Sequence, residues 1–91
     1  MRIIGYLADA ATYCRECLPH RPDGVDSEGN PVGVAFEDAE ADYPRHCDAC
    51  GAFLGGALTA EGEQHVRDFL RRHPDSETAR EYREYYAYLF D

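Results

Sequence analysis

Hydrophobic positions fall into two regimes along the chain. Beyond residue 58 they recur at helical intervals; before it they come in short clusters broken by Pro, Gly and acidic residues. Residues 60–73 place Val66, Phe69 and Leu70 on one face. Thr59 offers a side-chain oxygen to the first free amides, Glu61 and Glu63 sit where the helix dipole favours acids, and Pro74 ends the segment. Arg67, Arg71, Arg72 and His73 gather in its last two turns, complementing the dipole. After Pro74, Asp75 or Ser76 can cap a second helix in which Tyr82, Tyr85, Tyr86, Leu89 and Phe90 recur at i, i+3, i+4, i+7 and i+8. Glu77, Arg80, Glu81, Arg83 and Glu84 fill the solvated positions, with Arg80 and Glu84 spaced for a weak surface pair.

The first part of the chain reads as short strands and loops. Residues 3–13 are rich in β-formers around an Ala8-Asp9 break and predict a hairpin. Ile3, Ile4, Leu7, Ala10, Ala11 and Cys14 also satisfy helical spacing, so a helix is the competing assignment. Residues 18–31 hold Pro19, Pro22, Pro31, Gly24 and Gly29 and predict an exposed loop. Residues 32–36 predict a strand, and residues 41–47 a return strand that Pro44 restricts to an edge or irregular position. Residues 51–56 follow no convincing strand and enter no βαβ unit. The expected architecture is α+β: three or four short antiparallel strands followed by two C-terminal helices. It forms one domain over residues 1–91, with residues 57–91 a helical extension packing on residues 1–56.

Ninety-one residues give a small core, because a chain of this length buries only about 60 to 65 % of the surface it exposes when unfolded. A crosslink is therefore valuable, and the four cysteines are arranged to make one. They occur only as Cys14-Arg15-Glu16-Cys17 and Cys47-Asp48-Ala49-Cys50. Two intervening residues let one tight turn aim both sulfurs at a single point, and two such turns supply the four thiolates of a tetrahedral site. One structural Zn²⁺ is the expected ion, with iron as the alternative. A redox dithiol sets its CxxC at a helix N-terminus, and neither pair precedes a clear helix. Structural disulfides are rare in the cytoplasm, the compartment expected from the lack of an apolar leader in Met1-Arg2-Ile3-Ile4-Gly5-Tyr6.

The spacing of the two pairs resembles rubredoxin, which implies one iron in a small acidic electron carrier. The departure is at the first turn: Gly51 follows Cys50, but Leu18-Pro19 follows Cys17, and Pro19 has no amide hydrogen to direct at a sulfur. Residues 6–17, ending Tyr13-Cys14-Arg15-Glu16-Cys17, and 42–51, Asp42-Tyr43-Pro44-Arg45-His46-Cys47-Asp48-Ala49-Cys50-Gly51, are similar to small zinc-ribbon proteins of phages and bacteria. That likeness implies a fold and no activity, and residues 57–91 lie outside it. A zinc ribbon is favoured over a treble clef, because several residues separate the second knuckle from the helix capped by Thr59.

The remaining candidates have plainer explanations. His46 abuts Cys47 and His20 follows Cys17 by three residues, but four thiolates already complete the shell, leaving the histidines surface or supporting roles. Glu37, Asp38, Glu40 and Asp42 lack the glycine and ligand ladder of a calcium loop and read as a solvated turn. No catalytic motif is present, so no enzyme activity is expected. The aromatic stripe Tyr82, Tyr85, Tyr86, Leu89 and Phe90 packs the core or forms a surface for a protein partner or a homodimer. Nine arginines against eighteen acids give a net charge of −9, which opposes nucleic acid binding. No apolar run spans a membrane. Three functions remain: a zinc-stabilised binding or adaptor module, a rubredoxin-like iron carrier, and a nucleic-acid-binding zinc ribbon.

Overall fold

The fold was obtained as a computed structural model that describes residues 2–90. Strands β1 (Ile3–Ala8) and β2 (Ala11–Tyr13) form the expected hairpin. The two-residue loop lies at Asp9-Ala10, one position later than the break expected from sequence. Both loop residues have positive φ, 51° and 60°, the left-handed pair whose twist matches antiparallel strands. Strand β3 (Gly33–Phe36) pairs antiparallel with β1, giving a sheet of order β2-β1-β3. The long connection before it is irregular, as its Pro and Gly content predicts, but it is not loose. Val25 bridges Pro31, the Val32 amide donates to the Gly24 carbonyl, and Asp9 accepts hydrogen bonds from the Ser27 amide and hydroxyl.

A second, two-stranded sheet carries the other cysteine pair. Strands β4 (Arg45–His46) and β5 (Phe53–Gly55) run antiparallel on either side of the 47–50 turn. Strand β5 lies in residues 51–56, where the sequence predicts none, so the strands number five among the described residues. Its three residues carry no period-2 signal of their own, and pairing with β4 is what fixes them. Because this knuckle leads into a strand and not into a helix, the arrangement is a ribbon.

Helix α1 (Ala60–Arg72) begins where Thr59 caps the Gly62 amide and ends with the His73 amide donating to the Phe69 carbonyl. Ser76, not Asp75, caps helix α2 (Glu77–Tyr85) by accepting from the Ala79 amide. The expected helix through Phe90 stops earlier: after Tyr85 the chain tightens into a 3-10 turn, Ala87–Phe90, with the Leu89 amide donating to the Tyr86 carbonyl. No ion pair joins Arg80 to Glu84 among the described residues; Arg83 instead donates to the Pro74 carbonyl. Among the described residues no helix is long and apolar enough to cross a membrane.

The core lies where the helices meet β5. Leu58, Val66, Tyr82 and Tyr86 are buried together, with Phe53, Phe69, Leu70 and Leu89 packed against them. Tyr82 and Tyr86 therefore belong to the interior and not to a partner surface, which corrects that part of the stripe. Leu89 is half-buried, while Tyr85 and Phe90 keep 37 % and 45 % of their surface exposed.

Gly55 and Gly56 make this docking feasible. They take φ of +89° and +107°, and the Tyr85 hydroxyl accepts from the Gly56 amide at 3.0 Å while donating to Glu37 at 2.8 Å. The Tyr86 hydroxyl donates to the Gly56 carbonyl at 2.8 Å. A methyl group on Gly55 would lie 2.5 Å from the Tyr85 ring. Gly55→Ala is expected to destabilise the metal-loaded protein by about 2 to 3 kcal/mol, combining a left-handed alanine with displacement of the ring. Thermal or denaturant unfolding measures this, and Ala52→Ser, at an exposed position of the same hairpin, serves as a control with little effect.

Candidate metal centre

Two local turns and one lateral contact build the site. In the first knuckle the amides of Cys17 and Leu18 donate to the Cys14 carbonyl at 3.2 and 3.1 Å; in the second, the Gly51 amide donates to the Cys47 carbonyl at 2.8 Å. Gly51 takes φ +79° to complete its turn, whereas Leu18 closes the first without positive φ. The missing glycine after Cys17 is thus tolerated by the backbone. Strand β2 delivers Cys14 directly, since the strand ends at Tyr13, and β4 delivers Cys47 directly after His46.

Asp48 holds the two turns together. Its amide donates to the Thr12 carbonyl at 2.8 Å, and its carboxylate accepts from the Thr12 amide at 2.8 Å. One residue of the second knuckle thereby occupies the position of a neighbouring strand along β2, two residues before Cys14. Sequence reading did not single out Asp48; an acid at the first variable position of CxxC was the available signal, but its partner is 36 residues away.

The result is convergence of all four predicted ligands. The sulfurs of Cys14, Cys17, Cys47 and Cys50 lie within 4.8 Å of one another, and those of Cys14 and Cys50 are 3.8 Å apart. Metal–sulfur bonds of about 2.3 Å in a tetrahedron separate sulfurs by about 3.8 Å, whereas a disulfide needs about 2.05 Å. All four thiols are free. This is the one cluster of three or more His, Cys, Asp or Glu ligand atoms among the described residues. A tetrathiolate metal site is what these residues fit, and the distances suit zinc and iron alike.

The ligands differ in environment. Cys47 is buried, Cys14 and Cys17 are half-buried, and Cys50 is exposed. Burial pushes the Cys47 thiol up, but amide hydrogen bonds from Cys14, Cys50 and Ala49 outweigh it and bring the group down to about 6. Cys17, in contact with the sulfurs of Cys14, Cys50 and Cys47, is pushed up to about 12. Burial also raises Cys14, against the lowering influence of Cys17. Of these three, Cys47 gives up its proton most readily, and Cys14 and Cys17 give theirs up as an ion displaces them.

Neither histidine enters the sulfur cluster. His20 pairs with Asp9 at 2.6 Å, fastening the long loop to the β1–β2 turn. His46 bridges the knuckle to the helices: its Nε2 is 2.8 Å from the Tyr82 hydroxyl and its Nδ1 is 3.4 Å from the Gly51 carbonyl. Burial pushes the Tyr82 phenol up to about 12, so that hydroxyl is neutral and donates to Nε2 while Nδ1–H faces Gly51. Beside it Phe53 packs against Tyr82, Tyr85 and Tyr86 with ring centres 5.3 to 6.1 Å apart. The acidic group behaves as a polar turn: Glu37 takes Arg2 and Tyr85, and Asp42 accepts from the Thr59 hydroxyl at 2.6 Å.

No protein-family model matches this chain, and neither the curated proteins nor the solved structures contain a significant match. The class the site defines is a four-cysteine metal-binding module of α+β architecture.

Two outcomes follow for metal binding. At pH 7 the ion displaces protons from at least Cys14 and Cys17, so affinity falls by about a hundredfold or more per pH unit lost, and more steeply below pH 6 where Cys47 also protonates. Calorimetry in buffers of different ionisation enthalpy counts those protons. Asp48→Ala, which removes the acceptor for the Thr12 amide, weakens metal binding about tenfold in a chelator competition, whereas Asp48→Asn, which keeps an acceptor oxygen, recovers most of it.

Proposed function

We propose that the chain is a zinc-stabilised binding module in which one structural Zn²⁺ fastens the two knuckles and exposed faces engage a protein partner. The observation that carries this reading is the convergence of four cysteine sulfurs, which fills a tetrahedral shell and leaves no position for a substrate. The same knuckle supports the helices through His46 and Phe53, so the ion's place is at the base of the fold.

Zinc is favoured over iron by the asymmetry of the turns. The second turn is closed by the Gly51 amide at φ +79°, while the first runs into Pro19, which has no amide hydrogen to give. Support for a protein partner comes from the C-terminal segment, where Tyr85, Tyr88 and Phe90 are exposed next to the buried part of the stripe. Nucleic acid is disfavoured by the net charge of −9 and because Arg71, within the basic end of α1, is paired with Asp68.

Elemental analysis with a visible spectrum of the isolated, unheated protein tests the metal. The expected outcome is a colourless protein with one zinc per chain, which loses its fold when a chelator removes the ion, because zinc binding of about 10 to 16 kcal/mol exceeds or matches the stability of a whole domain. A red protein that holds iron after reconstitution and shows a reversible redox couple would make it an electron carrier instead. Size-exclusion and affinity capture test the partner; a strict monomer that retains no protein would remove the binding role.

A further inference from the structure

The four ligands of the proposed zinc site are unequally reachable. Cys47 is 2 % exposed, and Cys14 and Cys17 are half covered, while Cys50 stands in solvent. A reagent arriving from solution meets the Cys50 sulfur first. The sulfur placed to react with it next is across the site: Cys14 Sγ lies 3.8 Å away, on the other knuckle. Cys47, the mate of Cys50 in its own CxxC, is buried.

We propose that Cys50 is an oxidation site for hydroperoxides and that Cys14 resolves it, exchanging the metal crosslink for a Cys14–Cys50 disulfide; the proposal rests on the metal-site reading above. In the first step the Cys50 thiolate attacks one peroxide oxygen. The O–O bond breaks, an S–O bond forms, and hydroxide or alkoxide leaves, giving a sulfenic acid. In the second, the Cys14 thiolate attacks the Cys50 sulfur, an S–S bond forms, the S–O bond breaks, and hydroxide leaves. The two sulfurs supply two electrons, the peroxide accepts both, the leaving groups pass to solvent, and Zn²⁺ departs with its oxidation state unchanged, leaving Cys17 and Cys47 unbonded.

The pairing across the site has a consequence that pairing within either CxxC lacks. A Cys14–Cys17 or Cys47–Cys50 bond would leave the two knuckles unconnected once the ion is gone. A Cys14–Cys50 bond joins the same two hairpins the ion had joined, with the Asp48–Thr12 contacts already holding them in register. Peroxide therefore releases the metal and leaves the protein folded, unlike a chelator.

The test uses the full chain loaded with Zn²⁺ in vitro, titrated with hydrogen peroxide. Released zinc is read with a chromogenic chelator, linkages by peptide mass mapping without reduction, and the fold by circular dichroism. The expected result is one ion freed per peroxide consumed, a Cys14–Cys50 linkage, a retained spectrum, and rebinding of zinc after dithiothreitol. Zinc that stays bound in excess peroxide overturns the proposal, as does a linkage within either CxxC pair, cysteine sulfinic acid without a disulfide, or loss of the spectrum together with the ion. Iron in the isolated protein shows before peroxide is added, so failure of the zinc reading is distinguishable from failure of this one.

Discussion

A chain with four side chains fully gathered into its main core cannot rest on burial alone. What joins its two β-units is a point where four sulfurs meet, and the sequence distance between the paired turns makes that junction matter. Without it, bringing the knuckles together costs the closure entropy of a loop of some thirty residues, about 3 kcal/mol or more by the usual chain-entropy scale. The opposing gain in this region is a pair of hydrogen bonds between the Thr12 backbone and the amide and carboxylate of Asp48. A metal ion held by the four sulfurs would decide that balance, and it would act on both sheets at once.

The helices depend on the same junction at one remove. Strand β5 begins three residues after Cys50 and presents Phe53 to three tyrosines of α2 and its C-terminal end, while His46, immediately before Cys47, holds the Tyr82 hydroxyl. Gly55 and Gly56 then let Tyr85 and Tyr86 reach the backbone directly. Helix α2 therefore sits partly on the knuckle hairpin and partly on α1. A disordered second knuckle would take Phe53 and His46 away from Tyr82 and Tyr86.

Local features were legible in the sequence, and long-range ones, apart from the convergence of the two cysteine pairs, were not. Thr59 and the cysteine pairs act through neighbours within four residues, so their spacing alone announces cap and knuckle. Gly55-Gly56 reads as a linker until Tyr85, about thirty residues on, needs a bare backbone to lie against. The aromatic stripe shows which side of α2 is apolar, but which of its members are covered depends on β5, whose three residues have no pattern that marks a strand. Hence Tyr82 and Tyr86 went inside while Tyr85 turned its hydroxyl to Glu37. Asp48 and His46 were hidden for the same reason: each works on a partner 36 positions distant.

The contact between Asp48 and Thr12 also bears on self-association. Open margins of a β-sheet are templates for foreign strands, and this sheet is only three strands wide. Along β2 the Thr12 amide and carbonyl are both taken by Asp48. On the opposite margin, the Val32 amide is taken by Gly24, and the Phe36 carbonyl by the Ala39 amide. Little beyond Val34 is left between those two points for an incoming chain to pair with. The protein thus exposes apolar β-residues such as Ile3 and Leu7 without offering the uninterrupted hydrogen-bonding rim that fibril growth requires.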